Sequence, residues 1–334
     1  MMRRRAFVVG ASAALVAPRL VRAQTRARRV ALVSGSMPTA NMNETADNSS
    51  FAPFLRELRV LGLVEGQNAV FERYSALNQA ERNEPIAREV VTSRPDLIFV
   101  AGASEIIRFV AALTSEIPVV FHTTDALAFG LVPSLAHPGA NLTGAQSTAG
   151  KEVEGLKLQI LRRTLPGARR VAVFDRLVSW AVDEPFVRAA AQQLGFELLV
   201  EIVQDPGDEA EYRRVLAAIK ASEADAIKCG TSANVNNQLP LIGKLAAELR
   251  LPGIAAQPTF VDGGGLMSYG ANLADVYRKE ARLVARILLD GARAGELPVA
   301  MPDTFDLVVS ARAAKALGIA LPADILLQAA EVRE

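Results

Sequence analysis

The sequence is poor in the side chains that most often carry catalysis or metal binding. Its 334 residues include one cysteine, two histidines and one tryptophan, and 5% of them are aromatic. The single thiol of Cys229 cannot form an intramolecular disulfide, and we expect it to be a small buried residue. Cysteine or histidine pairs with the spacing of a metal site are missing from the sequence. The sequence therefore predicts a chain that is stabilised by core packing and binds no metal and no cofactor.

An excess of charge of either sign is also missing. Lysine and arginine number 37 and aspartate and glutamate 36, which gives a formal net charge of +1. This balance provides no electrostatic basis for binding nucleic acid or an anionic membrane. With 50% hydrophobic residues, the chain is long enough to form two domains or lobes, each with its own core.

Sequence motifs of known catalytic sites are absent as well. The nearest approach to a phosphate-binding loop, at residues 144–152, has the wrong glycine spacing and no hydroxyl after its lysine. His122 with Ser104 and Asp125 could in principle form a hydrolytic triad, but no nucleophile motif accompanies them. We therefore expect that the protein has no catalytic residue and is not an enzyme. An exported α/β hydrolase is kept as an alternative.

The N-terminus resembles an export signal. Residues 1–23 contain five arginines and no acid, and an uncharged stretch at 6–18 separates the two basic groups. The segment begins with basic residues, continues with a short apolar run and ends at a cleavage site of small residues. This pattern predicts a signal peptide of the twin-arginine type, removed near Ala23. Without those five arginines the chain keeps 32 basic and 36 acidic residues, a formal charge of −4. The expected location is the periplasm.

The rest of the chain contains one pattern twice. Short apolar runs alternate with longer amphipathic stretches, which predicts βα units and parallel sheets. The strand starts at Val30, Asp96 and Pro118 recur at Val171, Asp225 and Pro252, about 130 to 140 residues later. Gly62 and Gly195 end equivalent helices. We predict two similar doubly wound α/β lobes.

Ligands of parallel sheets bind beyond the carboxyl ends of the strands, so the segments that follow the strands are the candidate site. These segments are rich in small, hydroxyl-bearing and amide-bearing residues, which can present hydrogen-bonding groups to a polar ligand. The predicted ligand-binding residues are Ser34, Ser36, Gly102, Ser104, Thr123, Thr124, Asp125, Trp180, Thr231, Gln257 and Tyr269.

Three of the nearby residues are open to two interpretations. Trp180 is either a stacking platform for the ligand or a packing residue. Asp125 either pairs with a ligand ammonium or caps the helix that follows it. Lys228 interrupts an apolar strand, so either the strand is at an edge or the lysine points towards the cleft.

Several longer motifs resemble a known family. They are 117–125 (IPVVFHTTD), 130–132 (GLV), 134–144 (SLAHPGANLTG), 264–270 (GGLMSYG), 273–278 (LADVYR), 297–298 (LP), 305–308 (FDLV) and 314–319 (AKALGI). Together they are similar to ABC-transporter substrate-binding proteins of the tryptophan-binding type, over essentially the whole chain after the leader. Segments 228–234 and 257–260 depart from that pattern within the candidate site, so tryptophan is not carried over as the ligand.

The resemblance implies the type I periplasmic binding fold, in which three crossovers join the lobes. We expect residues 28–144 plus 272–298 to form lobe 1, and residues 145–271 plus 299–334 to form lobe 2. The implied function is that of a monomeric binding protein of an ABC importer. It would close around an amino acid or related carboxylate and deliver it to an inner-membrane permease. A ligand sensor of the same fold is the alternative.

Overall fold

The structure is a computed structural model that describes residues 26–46, 49–102, 104–148, 150, 152–205 and 207–334. The predicted leader at 1–23 lies outside the described residues, as does Ala103 of the candidate loop at 102–104. Within the described ranges, none of the helices is long and apolar enough to span a bilayer.

Strands and helices alternate along most of the described chain. The strands are β1 (Arg28–Ser34), β2 (Ala69–Ser75), β3 (Leu97–Ala101), β4 (Val119–Thr123), β5 (Leu142–Gln146), β6 (Arg170–Asp175), β7 (Glu197–Ile202), β8 (Ala226–Cys229), β9 (Gly253–Ala255), β10 (Met267–Ala271), β11 (Phe305–Ser310) and β12 (Glu331–Arg333). The α-helices are α1 (Phe51–Val60), α2 (Asn83–Thr92), α3 (Ser104–Leu113), α4 (Glu152–Thr164), α5 (Leu177–Leu194), α6 (Glu209–Ala221), α7 (Ala233–Asn237), α8 (Leu239–Glu248), α9 (Thr259–Asp262), α10 (Leu273–Leu288), α11 (Ala311–Leu317) and α12 (Ala323–Gln328).

The strands form two separate sheets. The first has the order β2-β1-β3-β4-β5 and is parallel throughout. The second has the order β12-β11-β10-β9-β8-β6-β7, and only the β10–β11 pair is antiparallel. The α/β fold with two parallel-sheet lobes, predicted from the repeated pattern, is confirmed.

The two sheets are wound in the same way. The order β2-β1-β3-β4 in the first corresponds to β7-β6-β8-β9 in the second. The helix-ending glycines also match, since Gly62 has φ +95° and Gly195 has φ +68°. A side chain with a Cβ adopts this left-handed conformation only at a cost, so glycine is the favoured residue there. The repeat seen in the sequence is therefore a repeat of topology.

Helices cover both faces of each sheet, which is why the central strands read as continuous apolar runs. One face of the first sheet packs against α1 and α10, and the other packs against α2 and α3. Buried residues of α4 and α5 cover one face of the second sheet, and those of α6 and α8 cover the other. Each lobe thus has its own core.

The chain passes between the lobes three times. The crossovers follow β5, follow β10 at the start of α10, and precede β11. The last two run side by side, because Asn272 donates two hydrogen bonds between them. Its backbone N–H donates to the Thr304 carbonyl at 2.9 Å and its side-chain amide donates to Asp306 at 2.8 Å. These short paired segments place the carboxyl ends of both sheets on either side of one cleft.

Candidate functional site

The cleft between the lobes contains two adjoining cavities. The outer one has a volume of about 460 Å³ and the inner one about 50 Å³. Five residues line both cavities: Thr124, Ser147, Asn236, Gln257 and Leu273. Because Thr124 follows the first sheet and Gln257 follows a strand of the second, both lobes contribute to one continuous cleft.

Most of the predicted ligand-binding residues come together here. The first lobe contributes Ser36, Gly102, Ser104, Thr123 and Thr124, and the second contributes Thr231 and Gln257. They lie at or just after the carboxyl ends of five different strands, β1, β3, β4, β8 and β9. The carboxyl-end argument therefore located this wall of the cleft from sequence alone.

Two predicted residues organise turns instead of lining the cavities. The buried Ser34 hydroxyl accepts hydrogen bonds from the backbone N–H groups of Ser36 and Met37, at 3.2 and 2.9 Å. The Asp125 carboxylate accepts from the N–H groups of Leu127 and Ala128, at 3.1 and 2.9 Å. Asp125 therefore has the contacts of a cap, but residues 126–130 form a turn and not the predicted helix.

Trp180 and Tyr269 lie just behind the cleft walls. Trp180 is 6% exposed and packs in the core of the second lobe, while its neighbour Ser179 faces the outer cavity. The Tyr269 ring stacks on Phe305 with centroids 6.0 Å apart, and Phe305 borders the inner cavity. The structure therefore places Trp180 as a packing residue and Tyr269 as a support for a cavity residue.

Side-chain amides are more numerous in the cleft than the sequence-based list suggested. Asn78 and Asn83 line the outer cavity from the first lobe, and Asn234, Asn236 and Asn237 line it from α7. The signal that could have identified them is the run ANVNN directly after the segment that follows β8. Phe129 is the aromatic ring among the described residues of this lining.

A buried ionic cluster beneath the cleft was also missed. The Glu154 carboxylate on α4 lies 2.7 Å from Lys157 Nζ through one oxygen and 2.5 Å from Lys228 Nζ through the other. All three side chains are at most 5% exposed as residues, and Glu154 and Lys157 line the inner cavity. Lys228 is on β8, in the interior of its sheet, so the edge-strand interpretation is wrong.

The two ammonium groups control the charge of Glu154. Burial favours the neutral acid, but the adjacent Lys157 and Lys228 outweigh it and lower the pKa of Glu154 to about 2. Burial also lowers the pKa of Lys157. Burial also favours the uncharged form of Lys228, but its pKa is raised because the carboxylates of Glu154, Asp183 and Asp175 favour the ammonium form. The carboxylate is thus ionised and shared between two cations.

A second buried pair supports the first-lobe wall. His122 Nδ1 lies 2.7 Å from Glu280 Oε1 on α10, and its ring stacks on Tyr277 with centroids 4.9 Å apart. The Ser104 hydroxyl, by contrast, hydrogen bonds with Thr123 Oγ1 at 3.1 Å. His122 is held by Glu280 rather than by Ser104 and Asp125, so the geometry of a hydrolytic triad is not formed.

Glu280 is expected to make stability depend on pH. Burial raises the pKa of this carboxyl to about 6, and His122 opposes the rise only in part. The folded protein then binds the proton more tightly than the unfolded chain, so the free energy of unfolding falls as pH rises from about 4.5 to about 6. The loss should be about 2 kcal/mol. Urea titrations at several pH values will measure it.

Glu280→Gln provides the control for this effect. An uncharged amide in the same position cannot titrate, so the variant should lack the decline between pH 4.5 and 6. Subtracting its unfolding free energy from that of the wild type at each pH isolates the contribution of Glu280. Parallel curves for the two proteins would show that Glu280 does not titrate in this range.

Comparisons with known proteins agree with this architecture. The family model for ABC transporter substrate binding proteins matches residues 47–333. The chain belongs to this family. Proteins of this family are substrate-binding proteins, which confirms the expectation that the chain is not an enzyme.

Individual relatives are distant in sequence and close in fold. A protein of Clostridioides difficile named tyrosine-binding protein is 22% identical over 267 residues, which cover 79% of this chain and 75% of the relative. An ABC domain from Streptococcus pneumonia, solved in complex with L-Trp, is 17% identical, with a TM-score of 0.79 over 92% of this chain and 99% of that one. A conserved domain protein from Vibrio cholerae is 23% identical, with a TM-score of 0.79 over 92% of this chain and 100% of that one.

Proposed function

We propose that this protein is the extracytoplasmic binding component of an ABC importer. It binds an amino acid or a related small carboxylate between its lobes and delivers it to an inner-membrane permease. The observation that carries the proposal is the continuous cleft, in which polar groups of both lobes face the same space. The family supports the transport role, and the relatives named for tyrosine and solved with L-Trp support an amino acid as ligand.

The proposed mechanism is closure on the ligand. In an open form, a ligand can contact the hydroxyl groups of the first lobe or the amides of the second lobe, but not both sets. Closure lets Thr124 and Gln257 bind it at the same time, so the ligand favours the closed form and the permease recognises that shape. The moving units are the two lobes, residues 28–144 plus 272–298 and residues 145–271 plus 299–334, except that the last two residues of β5 move with lobe 1. The proposed site of action is the periplasm, after removal of a signal peptide near Ala23.

A thermal-shift screen of the purified protein tests the proposal. A ligand that binds only the folded state adds about 2.7 kcal/mol of stability at 100 times its dissociation constant. For a chain of this size the melting temperature should rise by a few degrees. The panel contains the twenty amino acids and common small carboxylates. If no compound in it raises the melting temperature, the proposed function is wrong.

Gln257→Ala provides a test of the location. This side chain lines both cavities, and loss of one hydrogen bond to a ligand should weaken binding by up to about tenfold. Gln193→Ala removes an exposed glutamine of the same lobe, on α5, and should leave affinity unchanged. Equal affinities for these two variants would exclude Gln257 from the binding site.

A further inference from the structure

The inner cavity has room for only part of a ligand. Its volume of about 50 Å³ compares with the roughly 10 to 15 Å³ of cavity that one water molecule needs and the roughly 150 Å³ of a cavity that holds benzene, so it can hold a small polar head group but not a whole amino acid. It opens into the outer cavity of about 460 Å³, which can hold the remainder. A ligand that occupies both must therefore insert a compact end group into the inner cavity.

Charge at the inner cavity is provided by two side chains, Lys157 and Glu154. Among the described residues that line this cavity, Lys157 is the one cation. Its Nζ donates to Glu154 at 2.7 Å, but the same carboxylate is also 2.5 Å from Lys228, so one anion serves two ammonium groups. Asp183 acts electrostatically on both ammonium groups, and Lys228 has Asp175 as a further carboxylate in its surroundings. Lys157 therefore has the stronger need for another anion.

We infer that Lys157 binds the carboxylate of the ligand in the inner cavity. A buried cation is costly unless it is paired, so an incoming carboxylate both neutralises the lysine and gains a charge-assisted hydrogen bond. The ammonium has three donors, of which Glu154 uses one. The hydroxyls of Thr124 and Ser147 border the same space and can complete the binding of the two carboxylate oxygens.

Asn236 supplies a complementary group on the wall of the same cavity. Its side-chain amide donates to the Thr231 carbonyl at 3.0 Å, whereas its buried Oδ1 has no hydrogen-bond donor among the described residues. A buried acceptor without a donor favours a ligand that brings one, such as an ammonium or a hydroxyl. A cation beside an unsatisfied acceptor suits a zwitterionic head group. The inference rests on the proposed function and specifies how that ligand is bound.

Matched acids and amides test this role. Binding of L-tyrosine, L-tryptophan, L-glutamine and L-serine is measured by calorimetry, each beside its α-carboxamide, which lacks the negative charge. Lys157→Gln should weaken binding of the acids by about 10-fold to 100-fold, as expected for a lost hydrogen bond to a charged group. The affinity of the amides, which gain little from the lysine, should change by less than about 3-fold.

Lys228→Gln is the control, because Lys228 is equally buried and pairs with the same carboxylate but does not line the cavity. It should keep the preference for acid over amide.

If Lys157→Gln does not fold, as judged by circular dichroism, Lys157→Met is measured in its place, because methionine keeps the length of the apolar stem. Equal loss for acid and amide, or no loss, would overturn the role of Lys157 alone. If another acid of the thermal-shift panel is the one that binds, it is measured beside its own carboxamide in the same way. If no acid of that panel binds the wild type, the proposed function is wrong, and the inference with it.

Discussion

Replacing Glu154 with glutamine is expected to lower the free energy of unfolding by about 3 to 5 kcal/mol. The carboxylate is the direct partner of both Lys157 and Lys228, and all three groups are buried. Glutamine keeps the shape of the side chain but removes the negative charge, so two ammonium groups remain in a poorly solvated interior. Urea unfolding at pH 7 measures the loss.

Two further measurements separate this effect from a general defect in α4. Glu152→Gln changes an exposed carboxylate on the same helix and should cost less than about 0.5 kcal/mol. Glu154 should also contribute a loss of about 3 kcal/mol to wild-type stability as pH drops from about 4.5 to about 2, because its lowered pKa stabilises the folded state only while the group is ionised. Other carboxylates with lowered pKa values, such as Glu211, act in both proteins, so Glu154→Gln should lose about 3 kcal/mol less than the wild type over this range. Similar costs for the two variants would contradict the role assigned to Glu154.

The fold and one wall of the site were predictable because both depend on local patterns. Strand starts such as Val30 and Val171 are marked by apolar runs, and parallel strands place their carboxyl ends at one edge. Thr124 and Gln257 follow such strands and line the cleft. Position after a strand was therefore a sufficient guide for these residues.

The direction of a side chain was harder to predict than its position. Trp180 and Ser179 are consecutive in α5, where successive side chains point about 100° apart, so one faces the core and the other the cavity. Tyr269 and Gly270 are consecutive in β10 and lie on opposite faces of the sheet, and Gly270 is the one that lines the inner cavity. If the prediction is wrong by a single position, the residue chosen as a ligand contact lies in the core and its neighbour lines the cavity.

The ionic cluster could not be found from the segments after the strands, because two of its members are on a helix. Lys228 was conspicuous in an apolar strand, but its partner Glu154 is 74 residues earlier on α4. Only the fold of the second lobe brings α4 onto β9, beside the strand that carries Lys228. The spacing of Glu154 and Lys157, which places them on one helix face, was the available signal.

Phe99→Ala is expected to cost about 3 to 5 kcal/mol of stability, as for other large-to-small changes of buried phenylalanine. Phe99 on β3 is fully buried, and its ring stacks on Phe54 with centroids 4.1 Å apart. It also meets Phe51 at 5.8 Å and Tyr277 at 6.3 Å, edge to face. Truncation removes all three ring contacts and leaves a cavity in the core of the first lobe.

Phe99→Ala should also change the surroundings of His122 at the cleft, because Tyr277 packs between this core and His122. The Tyr277 ring contacts Phe99 on one side and stacks on His122, which borders the outer cavity. We expect the imidazole proton resonances of His122 to shift in Phe99→Ala. Phe109→Ala removes a ring that is 37% exposed and should shift neither the resonances nor the stability by a comparable amount. Equal losses in the two variants, or an unchanged His122, would mean that the aromatic core does not support the cleft wall.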